Sequence, residues 1–511
     1  MAAVSRRDFL RLVGIVGAGS AVGGALAWGT ARPVYAAPAN GYAATSAEGH
    51  VLNRLTWAGR PEDLARIREM GIEGYIDWQL HPEQIDDPLM DAYLANHPMS
   101  LSQSALSAAV DEDYGAVEAA ILYGRLHRAA YSERQLYELV VEFWTDHFNI
   151  PIGDLIVEKT IDDREVIRKH ALGTFRDLLF ASAQSEAMLY YLSQAYSEKE
   201  HPNENYSREV MELHTLGVKG GYTEKDVREV ARALTGWTVY GKNEHPFYFD
   251  LDKHDTGEKT VLGVTLPAGR GIEDGLDVLD ILARHPATAA FISGKLCRRF
   301  VADAPPESLI QSTTAVFTAT GGDIRQVLRH ILLSSEFMAS SGAKLRRPMD
   351  YVVGAMRLLR PTFAKLWHVL WQLKVMGQLP YYWHPPNGYP DMAGAWISTS
   401  GLLARWNYAL MFSSAAAGEW EGVKAPFIAL GEQIGAGVAT AGELVDAAAR
   451  FALAGGTLSA EDRRTYSAFV IDGLEEGDQQ GEDTPITPDV RADRLPALLA
   501  LIIASPYFQW K

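Results

Sequence analysis

The sequence predicts a mainly α protein, a multi-helical globular bundle with a small β-hairpin insertion near residues 245–264. Three observations predict it. Apolar residues recur at helical spacing along most of the 511-residue chain. Helix start and stop signals recur with them. The pattern turns strand-like only between Trp237 and Gly263. With 47% hydrophobic residues the chain can bury a large core, and 22% charged residues with ordinary Gly and Pro content exclude wholesale disorder.

Taken in order, Leu64 to Met70 reads as a helix closed by Gly71, and Glu73 to Leu80 as a second before Pro82. Amphipathic runs follow over Ala116–Ala130 and Glu133–His147, and a long one over Asp163–Leu192. Thr223 is a predicted N-cap with Asp226 three residues on, a variant of the capping box. Val227, Val230, Ala231 and Leu234 then form one apolar face, and Gly236 ends the helix. His245–Asp250 and Thr260–Gly263 flank Asp255-Thr256-Gly257, the expected hairpin. Helices resume over Asp274–Ala283, His285–Val301, Asp323–Phe337 and Met349–Leu359. Pro385-Pro386-Asn387-Gly388-Tyr389-Pro390 is a rigid loop before a last predicted helix, Ile397–Met411. Residues 48–411 are expected to form a helical core, and residues 412–511 a helical extension packed on it.

The N-terminus reads as an address. Ser5-Arg6-Arg7-Asp8-Phe9-Leu10-Arg11 precedes a weakly apolar, Gly- and Ala-rich run from Leu12 to Trp28, and small residues lead to Ala36. This describes a twin-arginine signal over residues 1–36, cleaved after Ala36, with the twin-arginine translocase as partner. The expectation is a periplasmic or secreted protein with no stable membrane span after cleavage. A net charge of -17 argues against a protein that grips nucleic-acid phosphates, so no nucleic acid is expected as partner. The single cysteine, Cys297, excludes an intramolecular disulfide, Cys-rich zinc sites and multi-thiolate clusters. A buried, inert thiol is expected there.

The richest segment for chemistry is Pro202–Gly217. As a helix it places Asn205, Arg208, Glu209 and Glu212 on one polar stripe, with Tyr206, Val210, Leu213 and His214 opposite. Two carboxylates near an Asn and an Arg can hold a metal or act as acid and base. A solvated face laced with ion pairs explains the same residues. His147, at the end of Glu142-Phe143-Trp144-Thr145-Asp146-His147-Phe148, is a second candidate, as ligand, general base or half-buried structural residue. His254-Asp255 in the insertion is a third, with a turn held by Asp255 as its plain alternative. No phosphate-binding Gly loop, nucleophile elbow, H-E-x-x-H or dinucleotide fingerprint is present.

Several strings together resemble a bacterial family known as domain of unknown function 1800 (DUF1800). They include His50–Trp57, Phe143-Trp144 with His147-Phe148, Phe175-Arg176-Asp177, Asn203–Gly217, Gly221-Tyr222-Thr223 and Ala233–Trp237. His254-Asp255, Lys259-Thr260, His285-Pro286, Arg346-Arg347-Pro348, the Pro385–Pro390 loop and Arg405 with Asn407 complete the set. One departure is visible: the family usually carries Gly-Trp-Pro where this chain has Gly388-Tyr389-Pro390. The resemblance implies an exported helical protein, often encoded beside a sulfatase-like protein, and brings no reaction with it.

The leading expectation is an exported enzyme, hydrolase or oxidoreductase. Its pocket would be lined by Asn205, Arg208, Glu209, Glu212 and His147, with a divalent metal held by Glu209, Glu212, His147 and His214. Two alternatives stand beside it. One is a non-catalytic export or assembly partner of the sulfatase-like protein, recognisable by a broad apolar patch. The other is a surface-polysaccharide binder stacking sugars on Tyr381, Tyr382, Trp383 and Tyr389.

Overall fold

A computed structural model describes residues 45–241, 247–416, 422–472 and 481–511. The twin-arginine motif, the cleavage site, His245 and Pro246 lie outside the described residues. The fold is mainly α, and among the described residues the strands form only two-stranded antiparallel ribbons.

Local sequence rules set most boundaries. Thr223 and Asp226 exchange hydrogen bonds across the first turn of the Glu224–Ala233 helix, which satisfies two N–H groups that would otherwise lack partners. Gly71, at φ +74°, bends the Pro61–Gln79 helix into two arms, the break expected there. Gly236 adopts φ +80°, and a Cβ on it would lie 2.3 Å from the Asp250 carbonyl oxygen, so only glycine fits.

Two expectations change. The single run over Asp163–Leu192 is interrupted. It comprises a π-helical stretch at Asp163–Arg168, then Phe175–Ala183 and Glu186–Tyr191. The Thr174 side chain caps the second of these, and Ser185 opens the third in extended backbone. The β insertion near residues 245–264 is present but forms two ribbons. Trp237–Val239 pairs with Phe247–Phe249, and Lys259–Val261 with Val264–Leu266 across a tight turn at Leu262-Gly263, both with positive φ. The stretch between the ribbons is held as a loop because Asp255 is occupied by Arg232 and by the Gly257 N–H.

Two apolar cores result. One gathers the helices Gln103–Tyr131, Pro348–Leu359, Trp367–Met376 and Thr399–Ala416 with Ala441–Ala452, Ala460–Ile471 and Pro488–Ala504. The other gathers Ala47–Leu55, Phe175–Ala183, Glu224–Ala233, Glu273–Arg284, Pro286–Phe300 and Ile324–Leu332. The Gln135–His147 helix stands between them: Leu139 enters the first core, while Leu136, Val140 and Trp144 enter the second. No helix among the described residues is long and apolar enough to cross a membrane.

Candidate functional site

The Gln135–His147 helix is buried almost all round, so Glu138 and Glu142 are buried, and Asp146 in its last turn is partly so. Glu138, Glu142 and Asp146 are four residues apart and form one inward acidic stripe. Each finds guanidinium partners from other helices, as a desolvated carboxylate must. Arg168 meets Glu138 in a two-pronged contact at 2.8 and 3.0 Å. Glu142 accepts from Arg299 at 2.7 Å and from Arg347. Asp146 accepts from Arg347 at 3.1 Å. Asp350 and Asp391 complete the cluster, 3.6 and 3.7 Å from Arg299. Burial, then the neighbouring Glu142 charge, pushes Asp146 up to about 7.

The last turn of this helix forms the floor of a cavity of about 250 Å³. Phe143, Asp146 and His147 line it together with Lys295, Arg298 and Arg299 from the Pro286–Phe300 helix and the loop from Trp383 to Met392. That loop is pinned. Asn149 donates to the Trp383 and Pro385 carbonyls at 2.7 and 2.8 Å, and the Tyr389 hydroxyl donates to the Leu379 carbonyl at 2.7 Å. Gly388, at φ +70°, passes so close that a Cβ would lie 2.0 Å from the Asp146 carbonyl oxygen. The rings of Trp383 and Tyr389, 4.9 Å apart, line the same cavity as the cations.

His147 is the pivot of the floor. Its Nε2 lies 3.0 Å from the His214 carbonyl oxygen, which accepts only, so Nε2 carries the proton. Nδ1 therefore accepts from the Lys295 amine at 2.8 Å. Burial, then the Lys295 charge, holds the imidazole far below its ordinary range, so it is neutral. The π-helical turn Val210–Thr215 places the receiving carbonyl. It is a widened turn in which the Leu216 N–H reaches Met211 and the Thr215 hydroxyl reaches Val210.

Lys295 faces the cavity half-buried, its nitrogen 5.5 and 6.0 Å from the Phe291 and Phe143 rings. Burial lowers it to about 8, against the pull of Asp146 and Asp391. Among the described residues no carboxylate lies within 4.0 Å of Lys295 or Arg298, whereas Arg299 and Arg347 are fully engaged.

The residues singled out in Pro202–Gly217 divide. His214 turns inward, its ring 6.0 Å from that of His147; neither ring nitrogen has a hydrogen-bond partner, and burial drives it down to about 3. The stripe of Asn205, Arg208, Glu209 and Glu212 does not line the cavity. Arg208 bridges Glu224 and Glu204, Asn205 donates to the Leu192 carbonyl, and Glu212 accepts from the Tyr222 hydroxyl at 3.2 Å. Glu209 is half-buried and raised by burial and then by Glu212. Among the described residues no three His, Cys, Asp or Glu side chains group as metal ligands, and both nitrogens of His147 are already engaged. The four expected metal ligands are therefore not assembled around one point. His254 is buried against Thr235 and Asp274, tying the insertion to its neighbours. Cys297 is buried, and burial raises its thiol to about 11.

Sequence reasoning missed Lys295, Arg298 and the Glu138–Glu142–Asp146 stripe. The signal for the stripe was available: acidic residues every fourth position in a helix otherwise apolar on every side.

The family model for a protein of unknown function, DUF1800, matches residues 50–510. The chain belongs to the DUF1800 family. The match embraces both apolar cores and every residue of the cavity, so in this member the DUF1800 unit includes the helices beyond residue 411. No curated protein and no solved structure matches the chain.

Proposed function

We propose that this DUF1800 protein is an exported enzyme performing acid–base chemistry on an anionic, ring-bearing small molecule, of which acidic saccharides are the class an exported protein meets. The observation that carries this reading is the pair Lys295 and Arg298: two cations without carboxylate partners among the described residues, on one cavity that the Trp383 and Tyr389 rings also line. Unpaired cations favour an anionic ligand, and ring faces favour the apolar face of a sugar or another ring. Asp146 and Lys295, shifted toward neutrality from opposite sides, are the groups able to exchange protons with it. Tyr381 and Tyr382, by contrast, spend their hydroxyls on Asp163 and Glu118 and belong to the frame.

Calorimetric titration with oligogalacturonate and with the matching neutral oligosaccharide tests this. The acidic ligand should bind at least about tenfold more tightly, a difference of about 1.4 kcal/mol, and Arg298→Gln should remove most of the preference. Equal binding of the two, or binding of neither, overturns the reading.

A second reading, a docking partner for a sulfatase-like protein, is supported by one feature. Trp367, Trp371 and Val375 are 42%, 48% and 53% exposed and form a ridge at four-residue spacing, with Lys374 over both indoles.

A further inference from the structure

We infer that Lys295 is a covalent nucleophile that forms an imine with a carbonyl group of the ligand, because its amine faces the cavity while a neutral imidazole, and no carboxylate, holds it. The inference rests on the cavity being the ligand site.

Most lysines are unsuited to this role, being protonated and either solvated or paired with a carboxylate. Lys295 differs on three counts visible in the structure. Its only hydrogen-bond partner among the described residues is His147 Nδ1. That contact uses one N–H and leaves the nitrogen lone pair of the neutral amine free to face the cavity. Because His147 Nε2–H is committed to the His214 carbonyl, the ring cannot turn to another tautomer without losing that bond, so the amine is held in a fixed direction. The aromatic rings of Phe143 and Phe291 flank the nitrogen and thin its hydration. The lowering to about 8 agrees, since about a tenth of the amine is then unprotonated at pH 7. His147 is too weak a base to remove the proton and serves to orient.

Asp146, on the same floor, balances the step. The Nζ lone pair attacks the carbonyl carbon, a C–N bond forms, and the C–O π pair moves to oxygen. The ammonium proton formed passes to that oxygen, by way of the Asp146 carboxyl group. A second proton, from protonated Asp146, lets the hydroxyl leave as water. Amine, carbonyl and protonated carboxyl become iminium, water and carboxylate, with no oxidant or reductant involved. The ligand class is thus narrowed to anionic ring compounds that present a carbonyl, such as an acidic sugar, which does so when its ring opens.

Labelling of the intact protein with pyridoxal 5′-phosphate, an anionic ring-bearing aldehyde, followed by borohydride trapping and peptide mass spectrometry, is the test. At pH 7 Lys295 should be modified roughly tenfold or more faster than the surface lysines, with a pH midpoint near 8 in place of the ordinary ~10.4. Lys295→Arg, which keeps the charge, should lose the adduct and retain its circular dichroism. Labelling of Lys295 no faster than the surface lysines overturns the inference even if oligogalacturonate binds. Rapid labelling that galacturonate does not slow upholds the nucleophile and overturns the acidic-saccharide assignment instead.

Discussion

Replacing Glu142 by Gln removes the anion that two buried guanidinium groups share. Arg347 keeps Asp146 at 3.1 Å and Asp350 at 3.3 Å, so it stays paired. Arg299 fares worse: its remaining carboxylates, Asp350 and Asp391, lie at 3.6 and 3.7 Å, beyond good hydrogen-bond reach. Removing one partner of a buried pair costs about 3–5 kcal/mol; with Arg347 still paired, the expected loss lies near the lower bound, ~3 kcal/mol. Urea unfolding reads it as a lower midpoint at unchanged slope. The loss should also depend on pH. Asp146 titrates near 7 in the folded chain and near 3.9 when unfolded, so the unfolded chain gives up that proton first. Stability from this group is therefore present below about 4 and is lost as pH rises toward 7. Without the Glu142 charge Asp146 ionises more easily, and that loss shrinks. The penalty of Glu142→Gln should accordingly be smaller at pH 7.5 than at pH 5. A penalty under ~1 kcal/mol, or one that grows with pH, would refute the buried network as described.

Three further outcomes are expected. His214, neutral and driven to about 3, contributes stability that is present above ~6.5 and lost as pH falls toward 3. His214→Leu should flatten the acid limb of an unfolding-free-energy-versus-pH curve, read from urea titrations, by up to ~1.4 kcal/mol per pH unit, and an unchanged slope would contradict a buried neutral ring. Gly388→Ala forces a Cβ onto the Asp146 carbonyl at a positive φ, so it should cost ~1–3 kcal/mol in urea unfolding and weaken cavity binding; full retention of both would mean that the loop sits elsewhere. Trp367→Ser with Trp371→Ser should shift the unfolding midpoint little, by less than ~1 kcal/mol, while abolishing any pull-down of a co-encoded sulfatase-like protein; undiminished capture would remove the ridge from the docking reading.

Which parts of this were legible follows from the range of the forces involved. The Thr223–Asp226 box, the Gly71 break and the Gly236 stop depend on atoms a few residues apart, and the sequence pattern locates them. The Asp163–Leu192 stretch was misread because its amphipathic period continues across Thr174 and Ser185, where side-chain and extended-backbone starts outcompete helix propagation. Pro202–Gly217 drew attention through its density of polar residues. Its Arg208 and Glu212 are satisfied by Glu224 and Tyr222, partners sixteen and ten positions away that no helical wheel displays. The contribution of that segment to the cavity is instead a backbone carbonyl and a buried imidazole, set by a π-helical turn without a distinctive sequence pattern. Lys295 is not legible from the sequence, since nothing local distinguishes a solvated lysine from one seated on a distant histidine.

The charged layer around Glu142 joins helices from both halves of the molecule, and Arg299 and Arg347 also form part of the hollow's lining. If the proposed ligand reaches them, recognition and cohesion draw on the same ions. An anionic guest that attracts either guanidinium must take it from a carboxylate that fastens one half to the other, so occupancy and stiffness are linked. Amide hydrogen exchange along the Gln135–His147 backbone would then report whether the hollow is filled.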